Sequence, residues 1–422
     1  MTLRAALLML IFCPLALPCH ALFTITPGVN LHLEYNDNIY LDSENEEDDV
    51  IATVAPNISM DWLTPRLDVS LFASVSMEKY LNNTDEDRIG PGESNQASNL
   101  TALARLYRDV FFLRVTDTYA RVPVDEGGRG GENNRTVNLT DSNRLTINPY
   151  LQFELMKDTQ MTLGYTYTNL WYEEEEADDV ISHLYSASLS REWSPRISMS
   201  LSGSHQEYRP KNADKVLVIT GGGTYEYDEE NVSIGLSYQA TDRLFLSGSY
   251  GHSWLKYDVI SDSDSDVWSA NADYEITSNY TVGTAYSQSY VVSVDEGPSE
   301  SDRLSAYLRY DERFIVNFTL FKRSNDFVEI DREDDSYGGA LAGELPFNEK
   351  TGITGLLRYE NFDRTGGFEE EQYDRYSTRF SLYYETRLGR VSAGYTYNRN
   401  DSDADGGDYT NNIVFIQASL TF

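Results

Sequence analysis

The chain ends with Asn412-Ile-Val-Phe-Ile-Gln-Ala-Ser-Leu-Thr-Phe422. Every second residue from Val414 onward is apolar, and polar residues fill the gaps apart from Phe415. A period of two residues gives a β-strand one apolar and one polar face. The same alternation recurs upstream, for example over residues 145–155 and 391–397. The pattern predicts a transmembrane antiparallel β-barrel, with apolar side chains toward lipid and polar ones toward the lumen.

The first 21 residues predict an export signal rather than part of the fold. Arg4 supplies the positive charge, residues 5–17 the apolar core, and Cys19-His-Ala21 a small-x-small cleavage site. Both cysteines of the chain lie in this segment, so we expect neither disulfides nor thiolate metal sites in the mature protein. The expected division is into a signal peptide, a short periplasmic segment and the barrel, over residues 1–21, 22–28 and 29–422.

The composition excludes two other classes of protein. The formal charge of −35, from 68 acidic and 33 basic residues, argues against nucleic acid as a partner because like charges repel. An acidic disordered chain is the other candidate, but 31 Tyr, 17 Phe and 5 Trp need surfaces on which to pack. The mean hydropathy of −0.47 is compatible with a barrel, because only alternate residues face lipid.

Two kinds of connection alternate along the chain. Nine are short and polar, at residues 64–66, 108–109, 157–160, 194–196, 241–243, 277–279, 311–313, 348–350 and 386–387. Ten are long, at residues 41–49, 81–98, 123–135, 173–179, 209–230, 259–266, 293–302, 327–335, 363–372 and 401–407. This alternation predicts an all-β, up-and-down barrel of about 20 strands (range 18–22), with short periplasmic turns and long extracellular loops. Residues 215–238 leave the count open, because they fit either one strand after a structured loop or an additional hairpin.

Charge differs between the two kinds of connection. Eight of the nine short turns contain Lys or Arg, whereas the long loops hold acidic runs such as residues 44–49 and 173–179. One interpretation is a solvated surface. The other is an acidic extracellular mouth that repels anions and concentrates cations at the entrance.

The first predicted hairpin resembles a known group of barrels. It reads Pro27-Gly-Val-Asn-Leu-His-Leu-Glu-Tyr-Asn-Asp-Asn38, followed by acids up to Asp49 and by Val50-Ile-Ala-Thr-Val-Ala-Pro-Asn-Ile-Ser-Met60. An initial Pro, a Tyr-Asn-Asp-Asn stretch and a second strand with a central Pro are similar to the opening of the β-barrel porin 2 family and of the outer-membrane barrels of exopolysaccharide gene clusters. The motif covers residues 27–66. The resemblance implies a Gram-negative outer-membrane channel, with polysaccharide export as one role, and it implies no catalytic residues.

The phase of the alternation assigns polar and charged side chains to the lumen. The candidates for lining it are His32, Glu34, Asp61, Asp68, Arg105, Arg114, Arg144, Gln152, Glu154, Arg309, Arg358, Arg375 and Arg379. Both signs of charge occur, which suits either a hydrated path for polar or sugar solutes or a structural network of cross-strand ion pairs. Such charges on the lipid face would cost roughly 2–4 kcal/mol each at the bilayer midplane, so the opposite assignment of the two faces would destabilise the barrel.

The sequence does not predict an enzyme. Outer-membrane hydrolases need a Ser or Asp beside a His at the barrel rim. The mature chain has four histidines, which are His32, His183, His205 and His252. An ordinary lumen or interface position suits each of them better than a catalytic one, although strands could bring distant residues together.

One acidic loop resembles the start of a calcium-binding loop. Asp401-Ser-Asp-Ala-Asp-Gly-Gly-Asp408 places acids at alternate positions before a glycine, so the candidate ligands are Asp401, Asp403, Asp405 and Asp408. Asn412 stands where the bidentate Glu of such loops is expected. Residues 262–266 show a similar pattern without the glycine. The predicted ion is weakly bound Ca²⁺ at the outer loops, and an acidic flexible loop is the alternative.

We therefore expect a passive outer-membrane channel for polar solutes or exported polysaccharide, with no cofactor other than this calcium. Two alternatives are a non-conducting structural or adhesive barrel and an outer-membrane enzyme. An energised transporter is disfavoured because almost no sequence precedes the first predicted strand. Expected partners are outer-membrane lipid and lipopolysaccharide, the barrel-assembly machinery through the strand ending at Phe422, and polysaccharide export components.

Overall fold

The computed structural model describes most of the chain, over residues 22–92, 97–124, 128–173, 179–211, 226–258, 261–292, 298–327, 331–366, 370–404 and 406–422. The described residues form β-strands with one 3-10 turn at Thr84–Glu86. No helix among them is long and apolar enough to cross a bilayer.

Alternating sequence and short turns produce 22 strand segments. In chain order they are β1 (Leu22–Asn36), β2 (Asp49–Leu63), β3 (Leu67–Ser74), β4 (Ser76–Tyr80), β5 (Arg88–Gly90), β6 (Ser98–Tyr107), β7 (Phe111–Pro123), β8 (Leu139–Met156), β9 (Thr159–Tyr172), β10 (Val180–Ser194), β11 (Ile197–Pro210), β12 (Tyr227–Thr241), β13 (Leu244–Tyr257), β14 (Ser263–Thr277), β15 (Tyr280–Val292), β16 (Pro298–Asp311), β17 (Ile315–Phe327), β18 (Arg332–Pro346), β19 (Thr351–Gly366), β20 (Glu371–Glu385), β21 (Gly389–Ser402) and β22 (Tyr409–Thr421).

The strands close into one antiparallel barrel. β1 pairs with β2 on one side and with β22 on the other, from Gly28↔Thr421 to Asn36↔Ile413. β3 and β4 continue one another along β2, and β5 pairs with β4, so the wall contains 20 strands. The predicted fold class is confirmed. Twenty strands about 4.8 Å apart and tilted about 40° give a backbone diameter of roughly 40 Å.

Proline explains the break between β3 and β4. Residues before and after the break keep the same register with β2, and the Val75 N–H donates to the Pro56 carbonyl at 3.2 Å. Pro56 has no N–H to return to Val75, so the ladder loses one bond at that position. The central Pro of the second strand therefore interrupts hydrogen bonding without shifting the strand.

The outer face carries the apolar half of each alternating strand. Leu33 pairs with Ile416, and both side chains are exposed, at 51% and 57%. The same face continues around the barrel through exposed pairs such as Tyr238 beside Leu246 and, further on, Phe380 beside Tyr395. These side chains form an apolar belt, which is what a bilayer-spanning barrel presents to acyl chains.

All nine predicted short turns join consecutive wall strands. Arg108 and Asp109 both have positive φ, at 43° and 56°, as in a type I′ hairpin. Several long loops are shorter than predicted, because alternating strands continue beyond the expected ends. β18 and β19, for example, stay paired as far as Arg332↔Gly366.

The structure bears on two predicted boundaries, the start of the first strand and the stretch over residues 215–238. Residues 22–28 do not form a separate periplasmic segment, because β1 begins at Leu22 and pairs with β2 from Leu22↔Leu63 onward. Alternation places Phe23, Ile25 and Pro27 on the outer face, so they extend the strand. The described part of the ambiguous stretch gives one strand, β12, and residues 212–225 lie outside the described residues, as does the predicted signal peptide, residues 1–21.

Candidate functional site in the lumen

Part of the long connection between β7 and β8 lies inside the barrel. Its described part, residues 128–138, contacts the inner wall and is called the inner segment below. Its hydrogen bonds reach β20, β21, β22 and the loop after β1, all on one side of the barrel. The inner segment therefore narrows the lumen from one side.

A buried ion cluster fixes the C-terminal half of the inner segment. The Arg135 guanidinium lies 3.2 Å from Glu34 on β1 and 3.4 Å from Glu78 on β4. The side chains of Arg135, Glu34 and Glu78 are 11%, 0% and 4% exposed. His32 approaches Glu34 at 2.5 Å, and Arg88 approaches Glu78 at 3.3 Å. Both buried carboxylates thus have two basic neighbours, which offsets the cost of burying them.

Neutral oxygen atoms fix the N-terminal half to two wall arginines. Arg375 donates to the Gly128 carbonyl and Arg379 to Asn133 Oδ1, both at 2.9 Å. No carboxylate lies within 4.0 Å of either guanidinium among the ion pairs of the described residues. These arginines anchor the segment through neutral oxygens rather than through direct ion pairs.

Asn398 on β21 holds the middle of the segment through its backbone. Its side-chain amide accepts from the Glu132 N–H at 3.1 Å and donates to the Glu132 carbonyl at 2.9 Å. The neighbouring Gly131 has to be small, because a Cβ there would lie 2.9 Å from the Asn398 side chain. Asn133 has a φ of 64°, a left-handed conformation that Asn tolerates. The Gly and Asn residues of this loop therefore let its backbone lie directly on the wall.

A polar cavity of about 500 Å³ lies between the inner segment and the wall formed by β17, β19 and β20. Five arginines and two glutamates line it, which leaves three positive charges in excess among the described residues: Arg121, Arg129, Arg323, Arg358, Arg375, Glu132 and Glu360. The Arg121 Nε atom is buried and has no hydrogen-bond partner. The cavity, called the arginine cavity below, is suited to anions.

The opposite side of the lumen carries hydroxyl groups. In strand order, β11–β13 lie across the barrel from β21, β22 and β1. Register places small side chains side by side on their inner faces, and Ser202–Ser233 and Ser249–Ser269 hydrogen-bond at 2.7 and 2.6 Å. This surface, called the serine wall, comprises Ser188, Ser202, Ser233, Ser249, Ser269 and Ser287. It is uncharged and takes up little of the lumen.

Register places all thirteen predicted lumen residues on the inner face, and it brings several of them together. His32 and Glu34 belong to the buried ion cluster, and Asp68 pairs with Arg105 at 2.6 Å. Arg358, Arg375 and Arg379 face the inner segment or its cavity. The others lie apart along the wall: Asp61, Arg114, Arg144, Gln152, Glu154 and Arg309.

Phe415, the exception to the terminal alternation, faces the lumen. It is 1% exposed, its ring stacks on His32 at 5.6 Å between centroids, and Arg379 lies 4.7 Å above it. The aromatic ring thus packs against His32 of the buried ion cluster. Its phase is therefore regular, and only its polarity departs from the pattern.

The predicted calcium ligands make other contacts. Asp401 pairs with Arg399 at 2.7 Å, Asp403 accepts from the Gln372 N–H at 2.7 Å, and Asp408 accepts from the Ser402 N–H at 2.6 Å. Asp405 lies outside the described residues. No cluster of three or more His, Cys, Asp or Glu suited to a metal ion occurs where the structure describes the chain. The three described carboxylates do not converge as a ligand set, and calcium binding stays a prediction.

Acidic side chains at the long-loop end divide into structural and exposed ones. Asp42 accepts from the Glu44 and Asn45 N–H groups at 2.9 and 3.0 Å, and these bonds lower the pKa of Asp42. Asp49 accepts from the Asn83 N–H at 2.7 Å and ties the first loop to the second. The exposed acids of the first loop are Glu44, Glu46, Glu47 and Asp48.

The remaining histidines lie on the outer face. His183 bonds to Tyr165 at 2.8 Å, and His205 stacks on Tyr185. His252 lies between Asp264 and Asp266, at 3.2 and 2.9 Å. These are aromatic and ionic contacts between neighbouring strands of the belt.

No family model and no curated protein matches the chain. Solved structures with a similar fold include the FrpB iron transporter from Neisseria meningitidis (F5-1 variant), with 8% identity, a TM-score of 0.48, and coverage of 94% of this chain and 82% of that one. Another is a mutant of the ferric enterobactin receptor PfeA from Pseudomonas aeruginosa, with 10% identity, a TM-score of 0.49, and coverage of 94% and 80%. Pseudomonas aeruginosa OpdK with vanillate matches with 10% identity, a TM-score of 0.43, and coverage of 94% and 99%. At these values the matches say nothing about what passes through this barrel.

Sequence reasoning missed the inner segment. The alternation of short and long connections predicts this loop as one of ten extracellular ones, whereas its described part lies in the lumen. Its sequence Gly128-Arg-Gly-Gly-Glu-Asn-Asn-Arg135 is rich in Gly and Asn and contains two arginines, unlike the acidic loops around it. That difference in charge is the signal that could have distinguished it.

Proposed function

We propose that this chain is a passive outer-membrane channel for polar solutes. The proposal rests on one observation, the asymmetry of the lumen. The inner segment is bound to β20–β22 and β1, while the serine wall on the far side is uncharged and built from small side chains. A segment held to one side narrows a barrel of roughly 40 Å backbone diameter without filling it.

Conductance tests the proposal directly. Purified barrel in a planar bilayer should give discrete current steps in KCl. A complete absence of current, from protein whose folding is verified by its heat-modifiable mobility on gels, would refute the channel. It would favour the non-conducting structural or adhesive barrel, in which the inner segment acts as a plug.

Exported polysaccharide is the second proposed cargo, and the serine wall favours it. Hydroxyl side chains both donate and accept hydrogen bonds, so a row of them can exchange partners with successive sugar hydroxyls. The measurement is transient current block by neutral linear oligosaccharides of increasing length. Block times that do not lengthen with chain length would argue against a polysaccharide path.

The acidic mouth remains part of the proposal. Exposed acids of the first loop would attract cations at low salt, when the screening length is long. Reversal potentials across a KCl gradient should therefore shift toward cation preference as the salt concentration falls. A cation preference that does not change with salt concentration would contradict the proposed role of the acidic mouth.

We also propose that the barrel-assembly machinery recognises the terminal strand, since Phe422 is 63% exposed at its end. A Phe422→Ser variant should assemble more slowly in a reconstituted assembly assay. An unchanged rate would remove this partner.

A further inference from the structure

The arginine cavity is a binding site that a purely passive pore would not need. A hydrated path requires polar walls, not a concentration of one sign of charge in one cavity. Yet Arg358 and Arg375 from adjacent strands and Arg129 from the inner segment surround the same space. We propose that the cavity binds the carboxylate of an acidic sugar, either a free hexuronate or a uronate unit of a polymer.

The charge in the cavity argues for an anion. Arg375 donates to the Gly128 carbonyl, a neutral oxygen, and the ion pairs of the described residues do not join its guanidinium to a carboxylate. Arg358 pairs with Glu360 at 3.3 Å, yet its side chain is 48% exposed to the lumen. The planar guanidinium offers two parallel donors that match the two oxygens of a carboxylate.

The remaining lining argues for a sugar. Asn133, Asn134, Asn138 and Ser377 add amide and hydroxyl groups around the cavity. Such groups satisfy hydroxyls in either direction, because amides and hydroxyls each donate and accept. A volume of about 500 Å³ lies within the range of small-molecule sites. One carboxylate and several hydroxyls are what a hexuronate presents.

The acidic mouth does not oppose this assignment at physiological salt. Its exposed carboxylates are screened over a Debye length of about 8 Å. Charges inside a narrow, low-dielectric passage are screened less, so the cavity determines which ions reside in it. The inference rests on the proposed channel for its biological meaning, but the site can be tested by binding alone.

The test is a titration of the full barrel in detergent with glucuronate, followed by saturation-transfer NMR, with glucose as the neutral comparison. We expect glucuronate to bind and glucose to bind at least tenfold more weakly. Arg358→Gln should weaken glucuronate about tenfold, as expected for the loss of one charge-assisted hydrogen bond. Glu360→Gln should strengthen it, because the substitution removes the carboxylate that competes for Arg358.

The matched control is Arg390→Gln. Arg390 is also an inner-face arginine, but it pairs with Glu344 at 3.0 Å and Glu385 at 2.6 Å outside the cavity. It should bind glucuronate like the wild type. Equal affinity for glucuronate and glucose, or an Arg358→Gln variant that binds like the wild type, would overturn the site.

Two further arms separate the ligand sources and the two proposals. If an oligomer of galacturonate binds no more tightly than monomeric galacturonate, the ligand is a free uronate. If the oligomer binds more tightly, the ligand is a polymer. In a bilayer, glucuronate should interrupt the current. Absence of any current would refute the channel, whereas the titration would still decide the site.

Discussion

Replacing Arg135 with Ala should release the inner segment from the wall. The change leaves two buried carboxylates, Glu34 and Glu78, without their shared partner. Removing one member of a buried ion pair typically costs about 3–5 kcal/mol. His32 at 2.5 Å and Arg88 at 3.3 Å still neighbour these acids, so we expect the lower end, about 3 kcal/mol. That corresponds to a shift of about a hundredfold in the ratio of detached to bound segment.

Trypsin cleavage after Arg129 measures this ratio, because that site should be cut mainly in the detached state. Cleavage of Arg135→Ala should be about a hundredfold faster than that of the wild type, and its single-channel conductance should be larger or noisier. Arg390→Ala is the control, since it also removes an inner-face arginine with two carboxylate partners but does not touch the segment. If both variants are cut at the wild-type rate, the ion cluster does not hold the segment.

Two further predictions address the wall and the loops. Ile234 and Ser233 are adjacent on β12, and their side chains face lipid and lumen respectively. Ile234→Arg should therefore lower the free energy of unfolding in lipid by roughly 2–4 kcal/mol, whereas Ser233→Arg should lower it far less. Similar urea midpoints for the two variants would contradict the assigned faces. In the second loop, a hydrogen bond from the Lys79 ammonium and another from the Tyr80 N–H lower the pKa of Asp87 from its ordinary 3.8. A lowered pKa gives stabilisation that is complete above pH 3.8 and is lost as the pH falls through the pKa of the folded state. Hydrogen-exchange protection of the Tyr80 amide, corrected for intrinsic exchange rates, should therefore decline in acid for the wild type. It should not decline for Asp87→Asn.

The local sequence predicted the wall accurately because the alternation within each strand is enough to assign its two faces. Alternation at Ile234 or Leu33 requires only the neighbouring residues and the preference of apolar side chains for lipid. Short turns such as Arg108–Asp109 likewise depend on two or three adjacent residues. Even Phe415 kept its phase, although its apolar side chain points into the lumen.

The residue pattern alone predicted a closed barrel of about 20 strands and the face on which each side chain lies, since these follow from a period of two residues and from turn length. That one loop enters the lumen, and which part of the wall it contacts, followed from the tertiary structure. Glu132 and Asn398 are 266 positions apart, and the pairing of β22 with β1 brings β21 to the side of the barrel on which the inner segment lies. Contacts across a lumen depend on closure of the whole sheet, and no local pattern of residues encodes that distance.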